Sequence, residues 1–276
     1  MEFDRVEKPL RQLRKTLKSF PEDPPPDTVH KLRTHTRRIE AVAAALEPAD
    51  GKITRRLLKS LKPVRKAAGG VRDMDVLTAD ALEMPHPSNE DSLTRLVKHL
   101  GNLRQANAGA LLDAVKRQRK PARRRLKEYE KLVEAVFSGE KKAPLAVSRS
   151  VVSQNGDDSI VATLMDELGH WPRLSARNIH AFRLKVKELR YVLQLYPHSD
   201  ADFGDALGRV KDQIGEWHDW VQLERIAGEV LDPKEDRALL GRIGRTVQQK
   251  LAAALVVSNA LRGKYLQGHR ERRKAG

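Results

Sequence analysis

The chain has 276 residues, 39% of them hydrophobic, enough for one large or two ordinary domains with sizeable cores. Its 53 Lys and Arg outnumber 37 Asp and Glu, and the resulting +16 points to an anionic partner: nucleic acid, a phosphate polymer or an acidic membrane surface. With no cysteine, disulfides, thiolate catalysis and Cys-based metal sites are excluded.

Apolar residues recur mostly at three- and four-residue spacing, the period of an amphipathic helix. Leu10, Leu13, Leu17 and Phe20 do so in a first helix that "PEDPPPD" stops. Residues 1 to 20 are charged throughout, so no signal-peptide core is expected there. Asp27 or Thr28 caps a second helix, which runs to Pro48. A third is predicted over about 51 to 68, stopping at Gly69-Gly70, and a fourth over about 71 to 83, ended by "PHP". Two long helices, about 89 to 119 and 122 to 138, are predicted to meet at Pro121. From 139 to 158 the helical pattern lapses and turn formers gather, so this stretch reads as a linker. It holds the one β-like run, "LAVSRSVVS". Beyond it, helices are predicted over about 158 to 169, 176 to 196, 200 to 214, 216 to 230 and 234 to 267, and the final "HRERRKAG" is expected to fray. No run approaches the roughly 18 apolar residues of a membrane span. The expectation is an all-α, cytoplasmic protein with halves 1–138 and 159–276 joined by 139–158.

The halves repeat. "VHKLRTHTRRIEAV" at 29 to 42 matches "IHAFRLKVKELRYV" at 179 to 192, pairing His30 with His180, Arg33 with Arg183, Arg37 with Lys187 and Ile39 with Leu189. "LKPVRKAAGGVRDMDVL" at 61 to 77 matches "LGRVKDQIGEWHDWVQL" at 207 to 223. There Leu61 pairs with Leu207, Val64 with Val210, Arg65 with Lys211, Gly69 with Gly215, Arg72 with His218, Asp73 with Asp219 and Leu77 with Leu223. The first block is offset by 150 positions (180 − 30) and the second by 146 (219 − 73). Two blocks in the same order at nearly one offset imply two homologous helical bundles.

On a helix, positions i, i+3, i+7 and i+10 fall within an arc of roughly 80°. His180, Arg183, Lys187 and Arg190 occupy that arc in the second half; His30, Arg33, Arg37 and Glu40 occupy it in the first. Leu32, Ile39, Ala43 and Leu46 lie on the opposite side and can face a core. A solvated charged face normally mixes signs at i, i+4. The second stripe has no acid on it and the first has only Glu40, so an anionic ligand is the stronger reading. A metal site at His30 or His180 is not expected, because the i+3 and i+4 positions hold Arg33 and Thr34, or Arg183 and Leu184. The histidines read instead as donors or titrating members of an anion site. Asp73 and Asp219 read as helix caps or as bridges to a nearby base. "GKIT" at 51 to 54 is not a Walker A loop, and no HExxH or GxSxG motif occurs. Nothing points to catalysis, a cofactor or a metal.

These residues resemble the CHAD family, the conserved histidine α-helical domain. "VHKLRTHTRRIE" and "IHAFRLKVKELRY" are similar to its signature H-x-x-R-x-x-x-[RK]-[RK]-x-R, and "GGVRDMDVL" and "GEWHDWVQL" to its second block. The resemblance covers nearly the whole chain. It implies two pseudo-symmetric four-helix bundles whose basic surfaces meet around a central cavity or pore. It also implies binding of inorganic polyphosphate and association with polyphosphate granules. Carried across by position, the implied contacts are His30, Arg33, Arg37, Arg38, His180, Arg183, Lys187 and Arg190, with Arg65, Arg72, Lys211 and His218 from the companion block. The chain departs from the signature at Glu40 and Glu188, where the family usually places a base, so unequal grips are expected. Some relatives carry a fused triphosphate-tunnel domain; the 276 residues leave no room for one, and no hydrolase activity is expected.

Arg forks suit phosphate oxygens and Lys supplies point charges. Single-strand binders usually carry aromatics for base stacking, and aromatics here are only 4%. The alternative reading is non-specific nucleic-acid binding by "KRQRKPARRRLK" at 116 to 127 and the tail "HRERRK".

Overall fold

The computed structural model describes residues 3–46, 51–85, 91–137, 157–193 and 200–266. They form α1 (Phe3–Lys18), α2 (Pro26–Leu46), α3 (Lys52–Glu83), α4 (Asp91–Phe137), α5 (Asp157–Gly169), α6 (Ile179–Leu193), α7 (Ala201–Val230) and α8 (Arg237–Leu261), with a π-helical turn at Arg262–Leu266. No strand occurs among the described residues, in keeping with the all-α expectation. Most of the predicted linker, with "LAVSRSVVS", and the tail "HRERRKAG" lie outside them.

Three predicted helix breaks are absent. Gly69 and Gly70 lie inside α3, Pro121 inside α4 and Gly215 inside α7. A glycine costs about 1 kcal/mol in a helix interior relative to alanine, and a proline about 3 kcal/mol. Neither ends a helix whose buried face continues past it. In α3, Val64, Ala68, Val71, Met74 and Leu77 are buried on both sides of the glycine pair. In α4, Leu111, Val115, Ala122, Leu126 and Tyr129 are buried on both sides of Pro121. Each large side chain so buried contributes about 1.5–3 kcal/mol, which outweighs the local cost.

The chain divides into two compact units, Met1–Thr78 with His99–Gln154, and Ala79–Lys98 with Asn155–Gly276. In the first, one continuous core takes Leu10, Leu13 and Leu17 from α1, and Val29, Leu32 and Ile39 from α2. It adds Leu57, Leu61, Val64, Ala68 and Val71 from α3, and Leu111, Val115, Leu126 and Val133 from α4. The "PEDPPPD" connection is pinned from α4: Arg104 donates to the Pro24 carbonyl at 3.1 Å and to Asp75 at 2.6 Å. That fixes where α2 begins.

In the second unit, α7 packs along α8 and against α6, and α6 packs on α5. Asp200 caps α7 by accepting from the Phe203 N–H at 3.2 Å. Arg262, in the π-turn, donates to the carbonyls of Gly169 and Trp171 and so satisfies the end of α5. Among the described residues, no helix is long and apolar enough to cross a membrane.

Candidate functional site

Helix α2 buries Val29, Leu32 and Ile39, and this fixes its rotation. The opposite face, carrying Arg33, Arg37 and Glu40, is left half-buried along the edge of α3. Arg33 reaches across to α3 and donates from Nη1 to Asp73 Oδ1 at 3.0 Å. On the way its guanidinium lies against Gly69, where an added Cβ would stand 3.1 Å from Nη1. Asp73 is therefore a bridge to a base rather than a cap. Arg65 Nε lies 2.6 Å from Glu40 Oε1, a close ion pair without hydrogen-bond alignment. The companion block is thus drawn to the stripe by its one acid. Arg37 and Arg72 are half-buried. His30 is exposed, 3.5 Å from the Thr34 hydroxyl. Arg38 is exposed and lies beside His35, off the Arg33 side of the helix.

In the second unit, α6 buries Ile179, Phe182, Val186 and Leu189 and turns its basic stripe toward α7. Arg183 Nε donates to the Lys211 carbonyl at 3.0 Å. Its guanidinium lies so close on α7 that a Cβ at Gly215 would stand 2.5 Å from Nη2. Arg190 lies over Gly208 at ordinary contact, 3.6 Å from Nε to an added Cβ. The His180 and His218 rings meet with centroids 4.7 Å apart, tilted by 44°. Lys211 places its ammonium 2.6 Å from Asp212. Lys187 is half-buried. Glu188, the second departure from the signature, pairs with Lys185 at 3.2 Å, and Lys185 also reaches Glu167 at 2.9 Å.

The two units thus make the same contact with paired residues: Arg33 on Gly69, and Arg183 on Gly215. Asp73 lies one turn after Gly69, whereas the Lys211 carbonyl lies one turn before Gly215. The repeat pairs these glycines, and their break signals, which read as helix stops in the sequence, give way in the fold.

The spacing of the stripe passes over His35. This ring is half-buried on α2 with Nδ1 lacking a hydrogen-bond partner. Burial, reinforced by the nearby Arg38 and Lys31 charges, lowers its pKa below the usual histidine value. Among the described residues, no group of three or more His, Cys, Asp and Glu is placed to hold a metal ion. What the two faces offer is guanidiniums and imidazoles, groups that can donate to phosphate oxygens.

Comparison with known proteins bears on the fold and the family. A crystal structure of the CHAD domain from the plant Ricinus communis has a similar fold, with a TM-score of 0.65 at 18% identity, covering 95% of this chain and 91% of that one. Among curated proteins none matches. The CHAD domain family itself matches residues 5–228, a span that contains both histidine stripes and both companion blocks, and the chain belongs to that family.

Proposed function

We propose that the protein binds inorganic polyphosphate through two basic helix faces, one on α2 and α3 and one on α6 and α7. The observation that carries this is the repeated geometry: in each unit a stripe arginine is held on the neighbouring helix beside further cations. Such a surface suits a flexible polyanion with roughly one charge per phosphate and no bases to stack. The CHAD domain is a family associated with polyphosphate binding, and the fold and family membership support the assignment. The proposal includes the division into 1–138, 139–158 and 159–276 and, from the resemblance alone, a pseudo-two-fold pairing of the halves around a basic cavity. It also includes binding without turnover and a cytoplasmic location on polyphosphate granules.

A second reading, non-specific nucleic-acid binding, rests on α4. There Lys116, Arg117, Arg119, Lys120, Arg124 and Lys127 are exposed, and an acid, Glu128, lies 3.6 Å from Arg124. The test is competition between long-chain polyphosphate and single-stranded RNA at physiological salt and equal charge concentration. Preference for polyphosphate is expected. Preference for RNA would overturn the assignment in favour of the second reading.

A further inference from the structure

Glycines inside long helices weaken them, so their positions call for a reason. Gly101 and Gly109 in α4, and Gly204 and Gly228 in α7, have open space where a Cβ would stand. Gly69 and Gly215 do not. At each, the space a Cβ would need holds the guanidinium of a stripe arginine from the facing helix, 3.1 Å away at Arg33 and 2.5 Å at Arg183. Both are paired positions of the internal repeat.

A Cβ at 2.5 Å forces something to move, and what moves is the flexible end of the arginine rather than backbone. The fold would survive the change and the guanidinium would not keep its place. For Arg183, one contact that marks that place is the 3.0 Å bond from Nε to the Lys211 carbonyl, made while the guanidinium lies on Gly215. An arginine held this way has already lost much of its rotamer freedom, so less is lost when phosphate binds.

We infer that Gly69 and Gly215 are positioning residues of the anion site: the missing Cβ holds Arg33 and Arg183 in their phosphate-binding geometry. This rests on the polyphosphate reading, but one of its tests does not. In Gly215→Ala the charge is unchanged, so the salt dependence of polyphosphate binding should keep its slope while affinity falls about three- to tenfold. Gly204→Ala and Gly228→Ala, on the same helix, should bind like the parent. In an Arg183→Gln background, Gly215→Ala should cost nothing further. Independently of any ligand, the Arg183 Nε–H resonance should be protected from solvent exchange in the parent and lose that protection in Gly215→Ala. Undiminished affinity in Gly215→Ala, an equal loss in the Arg183→Gln background, or a retained Nε–H signal would each overturn the inference. Should Gly215→Ala fail to fold, Gly69→Ala, where the approach is milder, carries the same cycle with Arg33→Gln and with Gly109→Ala as control. A parent protein that does not bind polyphosphate would overturn the functional reading, and the Nε–H signal would still decide whether the glycine holds the arginine.

Discussion

His35 shows how one residue in a basic stretch can be set apart from its neighbours. It lies roughly 140° around the helix from His30, toward the apolar side rather than the stripe. The helical angle was therefore legible, but the consequence was not, because it depends on what α2 packs against. In the fold the ring is half-buried beside Arg38 and Lys31, and its pKa is lowered. The unfolded chain then takes up a proton before the folded one as pH falls. Stability from this source is fully present above about pH 6.5, the unfolded value, and declines below it toward the folded value. Thermal midpoints measured from about pH 8 to about pH 5 should therefore fall less steeply for His35→Gln than for the parent. Parallel curves would remove His35 as a source of acid sensitivity. The stripe residues differ in kind: Arg33, Arg37, Arg183 and Lys187 were placed by spacing alone, since a rotation fixed by Leu32 and Ile39, or by Phe182 and Leu189, leaves them no other side.

At the scale of elements, local signals read well where they were reinforced by pattern and poorly where a distant contact decided. The end of α1 follows from "PEDPPPD", but α2 begins at Pro26 inside that stretch, so Asp27 and Thr28 lie in its first turn and neither is its cap. Gly69-Gly70, Pro121 and Gly215 carry ordinary break signals, yet their helices continue, because buried faces run through them and two of the glycines accommodate arginines. Asp236 was illegible for the same reason. It opens α8, is almost fully buried, and accepts from Ser92 at 2.5 Å, from Arg95 with both oxygens at 2.6 Å, and from the Asp232 N–H at 2.8 Å. Nothing near it in sequence announces partners on α4. The Ser92 hydrogen bond, helped by Arg95, holds its carboxyl below the usual carboxylate range. Its contribution is thus present above the unfolded carboxylate pKa and lost as pH falls through the folded value. Asp236→Asn should lower the thermal midpoint at neutral pH, and the gap to the parent should close in acid as Asp236 protonates. A constant gap across that range would mean that shape, not charge, is what Asp236 supplies.

For the whole molecule the governing quantity is charge, +16 in total, and how much of it is left for a ligand once internal pairs are counted. The +16 says nothing about where neutralisation occurs; the structure does. In the first unit Arg33 is paired with Asp73 and Arg65 with Glu40, and in the second Arg183 donates to the Lys211 carbonyl. Each phosphate neutralised by a cation steepens the fall of log affinity with log salt, by roughly 0.7 per contact on a single-stranded polyanion. On the proposed polyphosphate reading, Glu40 would compete with phosphate for Arg65. Its carboxylate is about a quarter exposed, as is Arg65, so the pair is only partly shielded from solvent. A pair of that kind contributes about 0–1 kcal/mol to stability, and its removal should leave the fold intact. Glu40→Gln should therefore strengthen polyphosphate binding and steepen the salt slope by roughly 0.7, with the thermal midpoint little changed. Removing a charge at Arg183→Gln should do the opposite on both counts: weaker binding and a slope shallower by a similar amount. If Glu40→Gln leaves affinity and slope where they were, Arg65 is a structural partner of α2 and the grip of the first unit rests on Arg33, Arg37 and Arg72 without it.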